Sequence, residues 1–305
     1  MTEIYAICAR SVYMSFQSRI RDGISSLGTR LYPFLDWLGI SDYLISVYEQ
    51  VFYRITPAYR TVEIGETSVR YWTNTIEEAK KVYHGFNSER DEVAIFLEDL
   101  QPDDVVWDVG AHIGLWSCAA GKQIGDQGEV FAFEPLPPNA KRIADNAELN
   151  DIHINVHEIA LADTDGNTTL YTNSGELGDS RSSLIVEQSS GLSVQMHRGT
   201  SIDAPPPDVL KIDVEGAEFD VINGLKPYLD GCRVIYCEIH PNLLPSGQTE
   251  NRLLTCLLEA GFTIELLSQR VVTDTYMIRG VNEPKNIKTR RACSLNSIIR
   301  TQHYV

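Results

Sequence analysis

Ten residues constrain this chain more than any others: Val105-Val106-Trp107-Asp108-Val109-Gly110-Ala111-His112-Ile113-Gly114. An apolar run ends in an acid, a glycine-bearing turn follows, and Leu115, Trp116, Ala119 and Ala120 then recur at helical spacing. Strand, glycine turn and helix in that order open a dinucleotide-type α/β sheet. Gly110 and Gly114 let the backbone come close to a ligand over the helix N-terminus, with Ala111 and His112 on the turn between them. Asp108 decides which ligand. A pyrophosphate loop reads G-x-G-x-x-G and keeps negative charge away, because free N–H groups and the helix dipole must face phosphate. Here the spacing is G-x-x-x-G, the middle glycine is missing, and a carboxylate ends the strand. An acid there suits an amino or sulfonium cation, which predicts a site for S-adenosylmethionine with Asp108 bonded to the cofactor.

A second buried strand, Val130-Phe131-Ala132-Phe133, ends in Glu134-Pro135, with the acid twenty positions after Gly114. An acid at that offset accepts hydrogen bonds from both ribose hydroxyls. Each signal alone is common; the two in order favour an adenosine-containing ligand.

The charge pattern excludes one class of partner. The formal net charge is −16, and residues 61–283 carry 15 Lys/Arg against 37 Asp/Glu, while residues 284–305 carry five basic residues and no acid. An acidic body lacks the basic footprint that a nucleic-acid surface needs. Arginine outnumbers lysine, eighteen to eight. A high-salt cytosol would select such a surface, because carboxylates keep it hydrated and salt screens their repulsion; acidic drift gives the same composition. No stretch reaches the ~18 uninterrupted apolar residues of a membrane span, and the first residues lack a signal-peptide pattern. Six cysteines (Cys8, Cys118, Cys232, Cys237, Cys256, Cys293) form no C-x-x-C pair. They read as reduced thiols of a cytoplasmic protein. Asn167-Thr168-Thr169 fits a glycosylation acceptor by chance.

Along the chain, residues 1–60 read as an amphipathic helical extension, either a cap on the core or a second subunit, or a segment lying on a membrane surface. The second reading lacks the basic face it would want. Thr61–Thr73 alternates around Gly65-Glu66 as a hairpin, and a helix starts near Ser88 and runs through Phe96 and Leu97. Pro137-Pro138 start a helix that Asn150-Asp151 end. Ile152–Ile159 alternates as a strand leading into Ala160-Leu161, and Thr164–Thr172 reads as a hairpin turning at Asp165-Gly166. The Ser/Gly-rich residues 173–191 suit either a substrate lid or a plain exposed loop. Leu192–Ile202 and Val209–Asp213 follow as strands, then a helix from Glu215, a strand over Arg233–Glu238, and a helix over 249–260. Phe262–Leu267 and Thr275–Ile278 close the sheet as an antiparallel pair. The main domain spans 61–280, and the tail over 281–305 reads as disordered.

Ligands of an open α/β sheet bind beyond the carboxyl ends of its strands. That rule gathers Asp108, Glu134, Ala160-Leu161, Asp213 to Glu215 and Glu238 to His240 on one edge. Methyl transfer from a sulfonium needs alignment and exclusion of water more than electrophilic help. An alcohol acceptor must also lose a proton, and Lys211, Asp213, Glu215, Glu238 and His240 are the candidates to receive it. The acids and the histidine could hold a divalent ion, but their spacing is not specific enough to assign metal ligands.

Trp107-Asp108-Val109-Gly110-Ala111-His112-Ile113-Gly114, Phe133-Glu134-Pro135, Ala160-Leu161-Ala162-Asp163 and Leu210-Lys211-Ile212-Asp213-Val214-Glu215-Gly216-Ala217-Glu218 together resemble the FkbM family of S-adenosylmethionine-dependent methyltransferases. Glu238-Ile239-His240-Pro241 is similar to its final motif. The resemblance covers roughly residues 85–270. It implies a class I methyltransferase fold, a Rossmann-like doubly wound sheet that is mostly parallel with an antiparallel closing strand. It also implies O-methylation of a small molecule, sugar or glycan, commonly a sugar or secondary-metabolite hydroxyl. The alternatives are a non-catalytic protein that keeps the cofactor fold for binding or assembly, and a nicotinamide oxidoreductase, which the missing glycine disfavours.

Overall fold

The computed structural model describes residues 57–172, 190–270 and 274–282. Residues 1–56 of the expected helical extension, 173–189 of the expected loop or lid, the tail from 283, Cys8 and Cys293 lie outside the described residues.

Tyr59–Ile64 (β1) and Thr67–Trp72 (β2) form the expected hairpin, with Gly65 at φ +57° in its turn. The next helix begins at Ile76, not near Ser88. Thr75 and Glu78 form a reciprocal capping box over Ile76–Lys80 (α1), a π-helical turn over Lys81–Gly85 follows, and Phe86–Asp99 (α2) completes the run.

The main sheet collects seven strands. In chain order they are Val105–Val109 (β3), Glu129–Phe133 (β4), Asn155–His157 (β5), Val209–Ile212 (β9), Val234–Ile239 (β10), Phe262–Arg270 (β11) and Thr275–Asn282 (β12). Their spatial order is β11-β12-β10-β9-β3-β4-β5. The pairs among β10, β9, β3, β4 and β5 are parallel, and β12 runs antiparallel to both β10 and β11. This is the mostly parallel, doubly wound sheet with an antiparallel closing strand that the resemblance implies. Its chain order reverses between β3 and β9, which opens a crevice at their carboxyl ends. Leu115–Ile124 (α3) and Pro137–Leu149 (α4) follow β3 and β4, while Glu218–Leu229 (α5) and Glu250–Glu259 (α6) follow β9 and β10.

Strand alternation sends neighbours to opposite faces. Val106 joins the apolar layer of Phe96, Trp116 and Tyr236, whereas Trp107 and Val109 join that of Phe133, Leu210 and Ile222. Truncating a buried aromatic such as Trp107 costs about 3–5 kcal/mol. Asp108 shares the face of Val106, and Lys211, between Leu210 and Ile212, shares the face of Val209. The register sets Asp108 beside Lys211.

Two local expectations fail. The strand expected over Ile152–Ile159 is confined to Asn155–His157. Asp165-Gly166 makes no local hairpin: Gly166–Thr172 (β7) pairs antiparallel with Ser190–His197 (β8), and Ala160–Leu161 (β6) runs parallel along β8. The Asp165 carboxylate instead accepts from Arg198 N–H and the Ser201 hydroxyl, which ties the turn to the end of β8. Cys118, Cys232, Cys237 and Cys256 are free thiols, and among the described residues no helix is long and apolar enough to cross a membrane.

Candidate active site

A cavity of about 490 Å³ opens at the carboxyl ends of β3, β4, β9 and β10. Gly110, His112, Glu134, Pro135, Ala160 and Leu161 line it on the side of β3, β4 and β6, and Asp213, Glu215, Glu238 and His240 line it on the side of β9 and β10. Four sequence-predicted residues, Asp108, Ala111, Gly114 and Lys211, are not among the lining residues.

Asp108 was expected against the cofactor's cation; the structure gives it a different partner. Its side chain is buried, Oδ1 lies 3.0 Å from Lys211 Nζ, and Oδ2 accepts from the Ser117 hydroxyl at 2.5 Å. Lys211 Nζ also donates to Gly110 O at 3.0 Å. Burial works against the Lys211 charge, but Asp108 and then Asp213 outweigh it and hold the ammonium above its ordinary range. Lys211 thus holds the turn as a cation, between the Asp108 carboxylate and Gly110 O. The glycine reading also changes. A Cβ on Gly110 would sit 1.8 Å from Asp213 O, so the close approach this glycine permits is between the β3 and β9 loops. Gly114, at φ +81°, precedes α3, and Ala111 N–H donates to Phe133 O.

Glu134 accepts from His112 N–H at 2.8 Å and Leu136 N–H at 3.0 Å. Burial is the dominant influence on it, and its carboxyl is pushed up to about 7. Ile159, Ala160 and Leu161 supply an adjoining apolar edge.

Across the cavity, His240 Nδ1 lies 2.6 Å from Glu218 Oε1, and Nε2 lies 3.6 Å from Glu215 and 3.9 Å from both Asp213 and Glu238. Burial opposes the imidazolium, but the Glu218 bond and the neighbouring carboxylates raise His240 to about 9. Burial would also raise Asp213; Lys211 and then His240 outweigh it and hold that carboxyl low. Glu215 goes the other way. Burial, with Asp213 adding to it, pushes Glu215 up to about 7 against the pull of His240. Glu215 and His112 both occupy the left-handed region, at φ +51° and +54°, a conformation non-glycine residues hold where surrounding structure enforces it.

Three charged lining residues, Arg270, Lys81 and Glu89, are absent from the sequence-predicted site. Arg270, at the end of β11, donates to Glu238 and lies 3.8 Å from Glu92; Lys81, in the π turn, lies 3.3 Å from Glu89. Only strand order and the π turn bring these residues to the crevice, and neither is encoded locally. The π turn itself is a recurrent mark of functional sites.

A family model described as the methyltransferase FkbM domain matches residues 108–264. Hexuronic acid methyltransferase AglP of Haloferax volcanii is 28% identical over 203 residues, 64% of this chain and 81% of that protein. The 2-O-methyltransferase NoeI of Sinorhizobium fredii is 28% identical over 191 residues, 55% of this chain and 75% of that protein. A crystal structure of methyltransferase FkbM from Methylobacillus flagellatus is similar at a TM-score of 0.43 and 14% identity, over 60% of this chain and 45% of that one.

Proposed function

This chain belongs to the FkbM family of S-adenosylmethionine-dependent methyltransferases, and from that premise we propose that it methylates a hydroxyl of a sugar or glycan. The observation that carries the reading is the meeting of Asp213, Glu215, Glu238 and His240 in one cavity whose opposite wall carries Glu134. Two relatives support it by name: one is a methyltransferase of a hexuronic acid, the other a 2-O-methyltransferase.

The donor set suits the cofactor. The Glu134 carboxylate can accept from a ribose diol, Ile159 and Leu161 offer an apolar edge to the base, and the acids of the far wall favour a cationic centre. When bound, S-adenosylmethionine supplies a methyl group on a sulfonium, which needs no further activation. The chain's own residues then have two tasks, alignment and removal of the acceptor's proton. Among the four grouped residues the proton falls to Glu215. His240 is charged near neutral pH and donates, Lys211 and His240 make Asp213 a weak base, and Arg270 engages Glu238. Glu215, raised to about 7, is poised to accept.

Asp213, Glu238 and His240 each bring a ligand atom within 4.8 Å of the others, the spacing of a divalent site. Arg270 on Glu238 and Lys211 3.8 Å from Asp213 already supply cationic charge there, so no metal ligands are assigned.

Labelled cofactor with a panel of uronic acids, neutral sugars and glycolipids tests the reading. Transfer to a sugar hydroxyl, resistant to chelator, is expected. Glu215→Gln should lower kcat ~10²–10⁴-fold while cofactor affinity persists. Cofactor binding without transfer to any hydroxyl would favour a binding or assembly protein, and preference for a nicotinamide would overturn the cofactor.

A further inference from the structure

Glu218 opens α5 and is fully buried, yet it is not among the residues lining the cavity. Acids in a first helical turn are ordinarily solvated there and favoured by the helix dipole. Glu218 gives up that solvation, and its Oε2 is buried with no hydrogen-bond partner among the described residues. Its Oε1 carries two contacts. One is the Gly216 N–H at 3.0 Å, in the turn where Glu215 and Gly216 hold φ +51° and +104°. The other is His240 Nδ1 at 2.6 Å. A single oxygen thus joins the turn carrying Glu215 to the ring that faces it.

We propose that Glu218 is the positioning residue of this site, holding the His240 ring by Nδ1–H and the Glu215 turn by Gly216 N–H. The inference rests on the proposed transfer to a hydroxyl. With Nδ1–H given to Glu218, the ring presents Nε2 to Asp213, Glu215 and Glu238, and deprotonation takes the proton from Nε2. A helix-capping role alone would need the Gly216 contact but not the histidine. The geometry serves both, since the fixed ring lies 3.6 Å from a carboxylate whose backbone the same residue restrains.

The test reads the ring directly, by nitrogen NMR of histidine-labelled full-length protein, with the His240 signal assigned from His240→Gln. Among the described residues, the titrating or charged groups around that ring are Asp213, Glu215, Glu218 and Glu238, with Lys81, Lys211 and Arg270 beyond them. In the parent protein, the neutral ring should carry its proton on Nδ1. In Glu218→Gln the His240 midpoint should fall by roughly 1–3 units, the size of a lost opposite-charge contact. Glu218→Asp should recover part of that shift. The kcat of Glu218→Gln should fall on the order of 10–100-fold, the cost seen when partners that orient metal-bound histidines are removed, with cofactor Kd unchanged. A neutral ring protonated on Nε2 in the parent overturns the proposal without any variant. So does a Glu218→Gln ring that titrates as in the parent, or parental kcat beside a shifted ring. A parent protein that transfers no methyl group strikes the functional reading, and with it the positioning role, while the ring measurement still reports on the contact.

Discussion

Lys211→Met removes a cation from the centre of the sheet and keeps its methylene stem, so it tests how the site's electrostatics are anchored. The ammonium lies 3.0 Å from Asp108 Oδ1, and both side chains are almost wholly buried. At an effective dielectric of about 20, unit charges at that distance interact by roughly 5–6 kcal/mol. Part of this is returned, because the desolvation of Lys211 disappears with its charge. Asp108 then remains buried with the Ser117 hydroxyl as its neutral donor, and breaking such a pair costs about 3–5 kcal/mol. Asp108→Asn should cost less, because the ammonium keeps Asp213 at 3.8 Å and donates to Gly110 O. The double variant removes both charges and should recover most of the loss, giving a coupling energy of at least ~2 kcal/mol in a double-mutant cycle. Urea unfolding at neutral pH, with unchanged slope, reads these values. Cofactor titration of the folded variants reads the second consequence: Asp108→Asn should weaken binding less than Glu134→Gln, because Glu134 lines the cavity and Asp108 does not. Single variants within about 1 kcal/mol of the parent, or a double variant as costly as the two singles summed, would show that Asp108 and Lys211 are not coupled.

Two further outcomes follow from the same charges. Glu134 titrates near 7 in the fold, above its ordinary value, so protonation favours the free fold: its stabilising contribution is present below about pH 4.5 and is lost as pH rises through 7. Ribose hydroxyls need the ionised form, so cofactor affinity measured by calorimetry should rise up to ~tenfold per pH unit below 7 and level off above it, and Glu134→Gln should flatten the profile. With a net charge of −16, the protein's Tm should rise as potassium chloride goes from about 0.1 to 1 M, where the Debye length shrinks to ~3 Å; a flat or falling Tm would remove the high-salt reading of its composition.

What the sequence made legible is what local periodicity encodes. The alternation of Val106, Trp107, Asp108 and Val109 announces a strand buried on both faces, and Thr249 and Pro137 mark real helix starts. The Asp108–Lys211 pair was hidden because it needs the register of β3 against β9, strands separated by the whole of the intervening α/β units. Asp165-Gly166 carries a strong local turn signal, yet β7 finds its partner in β8, and the longer-range pairing wins. The helix at Ile76 was encoded, as a capping box of Thr75 and Glu78 with Ala79, Val82 and Tyr83 buried behind it. The π turn interrupts the spacing by which such a helix would be followed to Ser88.

The site separates like residues by giving them unlike neighbours. Lys211 and His240 hold Asp213 low. Glu215, two positions along the same loop, turns through a left-handed backbone into a buried position beside Asp213, whose negative charge helps to raise it to about 7. Arg270 engages Glu238, Lys81 lies against Glu89, and Glu218 holds His240, so each of these acids has a cationic neighbour. Environments that drive similar groups apart in pKa are how one cavity assigns different tasks to one chemical type. By that logic the acids raised to about 7 are the informative ones among those lining the cavity. Glu134 sits on the wall suited to a ribose and Glu215 on the wall where an acceptor's proton must leave. The Lys211 clamp ties these two walls together, because it bonds the β3 turn through Gly110 O and lowers the β9 acid through Asp213.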